Sequence, residues 1–118
     1  TGFGLARHAL NLAERCNRKG VLIELSRLPC LDGAITLLDA GHHSTLHGQN
    51  KAAVRLAANS PASGIMNILF DPQTSGGLLA ALPAADAAPI VDQLNNDGIP
   101  AAIVGQFEDT TPGLRVRA

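Results

Sequence analysis

Phe70-Asp71-Pro72-Gln73-Thr74-Ser75-Gly76-Gly77 is the most informative stretch of the chain, and the apolar run Leu78-Leu79-Ala80-Ala81-Leu82 follows it directly. It sets an acid, a proline, two hydroxyls and a glycine pair between apolar runs. The glycines allow a tight turn that brings backbone N–H groups close to an anion or to another segment. The apolar run predicts a buried strand over residues 78–82 that holds the loop rigidly. Because functional residues often lie on loops held by a rigid scaffold, this 71–77 loop is the first candidate site.

The chain before this loop is predicted to form short alternating elements. Apolar residues recur at helical spacing from Leu5 onward, on a face made of Leu5, Ala9, Leu12, Ala13 and Cys16. The first predicted elements are a helix over residues 5–18 stopped by Gly20 and a strand over 21–25. A helix over 34–40 follows, capped by Asp32 and closed by Gly41. A helix over 50–58, with Ala53, Val54 and Ala57 inward, is then separated by an interruption at 59–61 from a short helix over 62–68.

The chain after the loop predicts a strand, a helix and two strands. The helix covers residues 84–96 with Ala87, Ile90, Val91 and Leu94 inward, and Pro89 is expected within or near its first turn, where N–H groups lack helical partners. Residues 101–107 predict a strand, and 114–116 a short edge strand. The strand–helix–strand order favours a parallel pair between 78–82 and 101–104. The fold class is therefore α+β, with a small mixed sheet and helices packed on it.

Composition indicates one folded domain and excludes several partners. The chain has 118 residues, of which 46% are hydrophobic and 16% charged, with a net charge of −1. Without a basic run, and with no Trp or Tyr for base stacking, we expect no nucleic-acid partner. No apolar run approaches the ~20 residues of a membrane span, and no signal peptide is visible. Cys16 and Cys30 lack metal or redox spacing, which favours two reduced thiols in a cytoplasmic protein over one disulfide.

The N-terminal turn, residues 1–4, is a second candidate site. Thr1, Gly2, Phe3 and Gly4 stand directly before a predicted helix, whose free N–H groups and dipole attract phosphate. The alternative is an ordinary glycine-rich cap, and Gly-x-Gly alone is too short for a dinucleotide fingerprint. The chain begins without an initiator Met, so we expect a piece of a longer protein.

The 71–77 loop leaves two interpretations open. Asp71 could ligate Mg²⁺ or orient another group, while Thr74, Ser75 and the N–H groups of Gly76 and Gly77 could hold phosphate. In the structural alternative, Asp71 caps a turn and the glycines take positive φ. Ser75 is not expected to be a nucleophile, because no Gly-x-Ser-x-Gly elbow surrounds it.

Three histidines raise the question of a metal site. His43 and His47 are spaced i, i+4, which could place them on one helix face beside His42. No third ligand with metal spacing is evident, and the polar neighbours favour a solvated loop. We therefore predict no metal ligands in this chain.

The motif Asp71-Pro72-Gln73-Thr74-Ser75-Gly76-Gly77-Leu78-Leu79 resembles the signature of the C-terminal domain of selenophosphate synthetase (selenide, water dikinase). Thr1-Gly2-Phe3-Gly4-Leu5 is similar to the end of that family's Thr-Asp-Val-Thr-Gly-Phe-Gly-Leu motif. The stretch Gly98-Ile99-Pro100-Ala101-Ala102-Ile103-Val104-Gly105 also resembles the family, and the stretch from Ser44-Thr45 to Asn50 does so more loosely. The resemblance spans essentially the whole chain, although only the 71–79 motif is specific.

The resemblance implies a fold and a reaction. The family belongs to the aminoimidazole ribonucleotide synthetase superfamily, which implies a partly ferredoxin-like C-terminal domain with a mixed sheet between helices. The implied reaction converts selenide, water and ATP into selenophosphate, AMP and orthophosphate. It requires Mg²⁺, and the family enzyme is a homodimer.

Much of the family's catalytic equipment would lie outside this chain. The family's reactive Cys or Sec, its catalytic Lys and most of its metal-binding Asp residues belong to an N-terminal domain, and a further Asp would fall two residues before Thr1. We therefore expect one C-terminal domain over residues 1–118, with no catalytic residue, no bound cofactor and no activity when alone. Its implied contribution is the N-terminal turn and the 71–77 loop, on the phosphate side of a cleft shared with the N-terminal domain.

Two other functions remain as alternatives. The chain could belong to another ATP-dependent enzyme of the superfamily, such as thiamine-monophosphate kinase or aminoimidazole ribonucleotide synthetase, although the 71–77 motif argues against both. It could instead be a non-catalytic binding or dimerisation module, which its low charge and its richness in Ala and Leu permit.

Overall fold

The sheet is built around β1 (Gly20–Glu24), which pairs with a strand on each side. In the computed structural model, which describes residues 1–56 and 64–118, β2 (Gly105–Glu108) is antiparallel to β1 and β3 (Gly113–Arg117) is parallel to it. The order β2-β1-β3 confirms an α+β fold with a mixed sheet and places β3 at an edge, as predicted.

The two faces of the sheet have different chemistry because side chains alternate along a strand. Val21 and Ile23 point into the core together with Leu114 and Val116 of β3. The opposite face carries ion pairs between strands, among them Glu108 with Arg115 and Glu24 with Arg117. The Arg115 guanidinium holds the pKa of the Glu108 carboxyl below its usual value.

Helix α1 (Gly4–Arg15) packs on the core face through small side chains. Ala6, Ala9 and Ala13 are almost fully buried, which lets the helix backbone approach the sheet closely. The predicted face was partly wrong, since Ala6 belongs to it whereas Cys16, just past the end of the helix, is exposed. The helix also ends earlier than predicted, at Arg15, and Asn17 two residues later has φ +55°.

The middle of the chain forms three short helical segments, of which the last packs against α1 and also contacts the other two. These are α2 (Ala34–Asp39), α3 (His47–Ala52) and a 3₁₀ helix (Gly64–Phe70). Gly33, at φ +79°, precedes α2 and no side chain caps it, so the predicted Asp32 cap is wrong. Helix α3 begins three residues before the predicted start of the 50–58 helix. The predicted inward Ala57, the interruption at 59–61 and the start of the 62–68 helix lie outside the described residues.

The predicted strand over residues 78–82 is absent from the described structure. These residues have no regular secondary structure and join no ladder, and Leu78 is fully exposed. A strand needs a hydrogen-bonded neighbour, and both sides of β1 are already occupied by β2 and β3. The predicted parallel pair with residues 101–104 is therefore wrong. Only Val104 of that stretch reaches the sheet, where its carbonyl accepts from the Glu24 N–H at 2.9 Å.

Helix α4 (Ala84–Asn96) has the predicted bounds but not the predicted burial. None of its residues is buried, and Ile90 is exposed where it was expected inward. Pro89 is the sixth residue of the helix. It therefore lies beyond the first turn, whereas the sequence predicted it within or near that turn. Among the described helices, none is long and apolar enough to cross a membrane.

Candidate functional site

The structure brings the N-terminal turn and the 71–77 loop together at the start of α1. The backbone nitrogen of Thr1 donates to the carbonyl oxygen of Gln73 at 3.0 Å. On the other side of the turn, Gly4 lies against the end of the 3₁₀ helix, where a Cβ atom would come within 2.7 Å of the Leu69 carbonyl oxygen. Two motifs that are far apart in sequence therefore form one continuous surface.

Gly4 explains why the turn requires glycine. Its φ is +77°, a conformation that side chains other than glycine rarely adopt, and the neighbouring backbone leaves no room for a Cβ. The residue is buried and opens α1, so the packing that excludes a side chain also fixes where the helix begins.

Asn50 holds the same junction from the side of α3. Its Nδ2 atom donates to the carbonyl oxygen of Gly2 at 2.8 Å and to that of Phe70 at 3.0 Å, and the residue is 8% exposed. The sequence reasoning assigned Asn50 no role. A signal was present, because Asn50 is spaced i, i+4 from the buried Val54 and is thus a polar residue on the inward face of a predicted helix.

The glycine pair behaves differently from Gly4. Neither Gly76 nor Gly77 has a positive φ. The positive φ predicted for both glycines in the structural turn is therefore wrong. A Cβ on Gly76 would come within 3.0 Å of the Gln73 side chain, whereas a Cβ on Gly77 would meet no atom within 4 Å. The described part of the chain therefore gives no steric reason for glycine at position 77.

Asp71 begins the loop in a half-buried position. Its Oδ2 accepts from Nε2 of Gln73 at 2.6 Å, which orients the carboxylate within the loop. Thr74, Ser75, Gly76 and Gly77 follow it and are all exposed. The loop thus presents two hydroxyls, one carboxylate and open backbone to solvent.

Both loops border a cavity of about 900 Å³. Thr1, Asp71, Thr74 and Ser75 form part of a polar rim, to which His8 adds an imidazole whose Nε2 lies 2.5 Å from the Thr1 hydroxyl. The remaining wall is largely apolar and includes Leu12, Leu28, Leu31, Leu37, Leu38 and Leu79. A few convergent polar groups beside an apolar wall are typical of small-molecule sites. Gly2 and Phe3 support the turn but do not line the cavity.

Helix α1 begins beside this rim, and a helix N-terminus carries a partial positive charge. The first turn contains no acidic residue, and no side chain caps the helix. The partial positive charge of the helix N-terminus is therefore not offset within the helix. Among the described residues that line the cavity, Asp71 is the one that carries a carboxylate.

One of the three histidines, His47, is buried and does not lie in the predicted solvated loop. His47 is 5% exposed, stacks on His43 with ring centroids 4.2 Å apart, and meets the Phe70 ring edge-on at 6.0 Å. Burial, and next the neighbouring His43, lower the pKa of His47. In residues 1–56 and 64–118 no group of three or more His, Cys, Asp or Glu side chains is placed to hold a metal ion.

The two cysteines are free thiols, as the sequence reasoning favoured. Cys16 is exposed, whereas Cys30 is half-buried in the cavity wall, where burial raises the pKa of its thiol. A raised pKa keeps the thiol protonated, which does not favour a nucleophilic role.

No protein-family model matches the chain. Individual proteins do match, and several of them are selenide, water dikinases. The chain is 32% identical to the selenide, water dikinase of Citrifermentans bemidjiense over 108 residues, 34% to that of Clostridioides difficile over 111 and 38% to that of Agathobacter rectalis over 114. These matches cover 92%, 89% and 91% of this chain. The chain belongs to the selenide, water dikinase family.

The chain spans about a third of the length of these relatives, with 31%, 31% and 32% of each covered. Membership of the selenide, water dikinase family confirms the resemblance drawn from the 71–79 motif and the N-terminal turn. Those two motifs are also the segments that the structure joins at the start of α1.

Proposed function

We propose that this chain is the C-terminal domain of a selenide, water dikinase, the enzyme that makes selenophosphate, AMP and orthophosphate from selenide, ATP and water. In the proposal, the N-terminal turn and the 71–77 loop line the phosphate side of an ATP site shared with an N-terminal domain. The observation that carries it is the meeting of the two family-like motifs at one helix N-terminus, through the Thr1–Gln73 hydrogen bond and the close approach at Gly4.

The physical role of this surface is to stabilise negative charge. The start of α1 carries no acid and no side-chain cap, so its N–H groups and dipole favour a phosphate placed there. The hydroxyls of Thr74 and Ser75 and the open backbone at Gly76 and Gly77 can donate to phosphate oxygens as well. Donors fixed before the reaction stabilise the charge that spreads over a phosphoryl group during transfer.

The chemical steps themselves are assigned to the other domain. Asp71 could supply one oxygen ligand to the Mg²⁺ that accompanies ATP, but the described residues gather no set of three metal ligands. The remaining ligands are therefore expected from the N-terminal domain and from the phosphates. Homodimer formation and a cytoplasmic location belong to the same proposal.

The exposed space at Gly77 allows a test that separates binding from folding. In the full-length enzyme, Gly77→Val places a branched side chain where the phosphates are proposed to lie, and we expect at least a tenfold loss of selenophosphate formation, followed by ³¹P NMR. Gly48→Val is the matched control, because Gly48 is also exposed and would meet no atom within 4 Å. Full activity of Gly77→Val would remove the loop from the site.

The substrate is tested in the same preparation. We expect ATP turnover with selenide and none with thiamine monophosphate. Turnover with thiamine monophosphate alone would assign the enzyme to another branch of the superfamily, while the role of the two loops would still be decided by Gly77→Val.

A further inference from the structure

Asn50 connects the two loops through a single side-chain amide. Both of its Nδ2 hydrogens are used, one on the Gly2 carbonyl at 2.8 Å and one on the Phe70 carbonyl at 3.0 Å. Gly2 lies inside the N-terminal turn, and Phe70 immediately precedes the 71–77 loop. We infer that Asn50 is a positioning residue that holds the turn and the loop in one fixed arrangement, so that they bind a phosphate-bearing ligand as a unit.

The chemistry of the contact selects an amide. Bridging two carbonyl oxygens requires two donors on one short side chain, and the Asn amide nitrogen provides them in a fixed plane. An ionised Asp at this position offers only acceptors, and a Ser offers one donor. Since Asn50 is almost fully buried, a carbonyl that lost its donor would not easily find water as a substitute.

The amide is also held by a rigid support. Asn50 shares α3 with His47, whose ring packs edge-on against Phe70 at 6.0 Å, and the buried Val54 follows shortly after the helix. Residue 70 is therefore contacted twice from α3, by the ring of His47 and by the amide of Asn50. Because the support is packed, the amide fixes the separation between the turn and the loop and does not merely follow their motion.

The inference rests on the proposed function for its ligand, but the coupling can be tested without it. In the full-length enzyme, free of nucleotide, Asn50→Asp is compared with Gln49→Ala, a control that removes an exposed amide from the same helix. We expect hydrogen exchange measured by mass spectrometry to increase in both peptides, residues 1–4 and 71–77, for Asn50→Asp. It should not increase in β1 or β3, nor in either loop for Gln49→Ala. Exchange that increases in one loop alone, or in neither, would overturn the coupling.

Kinetics then separate positioning from simple stability. A purely structural role would reduce the amount of folded enzyme and so Vmax, leaving KM unchanged. For a positioning role we expect KM for ATP to rise about tenfold in Asn50→Asp, at a temperature where circular dichroism shows the enzyme folded. An unchanged KM would overturn the positioning role even if exchange had increased. If the unsubstituted enzyme formed no selenophosphate, the proposed function would fail, and the exchange experiment would still decide whether Asn50 couples the loops.

Discussion

Leu69 and Leu78 lie close together in the chain, yet Leu69 has no exposed surface and Leu78 is fully exposed. They represent two regions. The packed region combines α1, the sheet and the 3₁₀ helix around one core, whereas residues 78–104 carry exposed apolar side chains at Leu82, Ile90, Ile99 and Ile103 as well. An apolar pattern can therefore form an element without that element being buried, since burial depends on a partner surface.

The largest effect expected from this comparison is the loss of Leu69. Leu69→Ala removes buried methyl groups and leaves a cavity in the core, so we expect the free energy of unfolding to fall by about 2–5 kcal/mol. Leu78→Ala should change it by less than ~0.5 kcal/mol, because an exposed side chain loses little on truncation. Urea denaturation of both variants of the chain measures the difference. Equal losses would show that the 78–104 region is packed as tightly as the core.

The second effect compares two glycines of the candidate site. Gly4→Ala puts a Cβ within 2.7 Å of the Leu69 carbonyl at a φ of +77°, and we expect a loss of roughly 1–3 kcal/mol in the free energy of unfolding. Gly77→Ala meets no atom within 4 Å and has no positive φ, so its stability should stay within about 0.5 kcal/mol of the unsubstituted chain. Thermal and urea unfolding of the pair would test this. A large loss in Gly77→Ala would mean that the loop packs against something in the chain.

Local sequence patterns predicted a helix of the 78–104 region correctly but not a strand. Both ends of α4 were predicted correctly, and local features stand at both, since Pro83 precedes the helix and Asp97 and Gly98 follow it. The strand over residues 78–82 was predicted from an equally strong local pattern and is absent from the described structure. A helix satisfies its own hydrogen bonds, whereas a strand depends on a neighbour that no local pattern reveals.

The residues of the candidate site were also predicted only in part. The N-terminal turn and the 71–77 loop were found from their glycines and hydroxyls, which are local features. The roles of Asn50 and His47 were missed, because a polar side chain in a predicted helix shows its importance only when its distant partners are known. For Asn50 those partners are the carbonyls of Gly2 and Phe70, which belong to other segments.

A third prediction concerns the buried imidazole next to the core. Because burial and His43 lower the pKa of His47 below the ~6.5 of an unfolded histidine, the unfolded state binds more protons between the two values. Stability from this group is complete above the unfolded pKa and is lost as the pH falls through that window. The slope is at most ~1.4 kcal/mol per pH unit for one proton.

His47→Gln should therefore flatten the dependence of the free energy of unfolding on pH below the ~6.5 of an unfolded histidine. Other charged groups act on the same ring, since Lys51 also lowers its pKa while Asp71 and the Asn67 side chain raise it. His42→Gln, at an exposed position, is the control and should keep the original profile. If the free energy of unfolding depended on pH in the same way in the unsubstituted chain and in both variants, a group other than His47 would cause the pH dependence.

The smallest effect on global stability is expected for a substitution in α4, which belongs to the less buried of the two regions. Pro89 lies beyond the first turn, so it lacks an N–H for the carbonyl four residues earlier and crowds it with its ring. Pro89→Ala should slow amide exchange within α4, by up to the equivalent of ~3 kcal/mol of helix propensity. Because no residue of α4 is buried, little of this gain should appear in the free energy of global unfolding, which we expect to change by less than about 0.5 kcal/mol.

Amide exchange measured by mass spectrometry reports the local protection of α4, and urea denaturation reports the global stability. If global stability rose as much as local protection, α4 would unfold together with the core, and the two regions would be one cooperative unit.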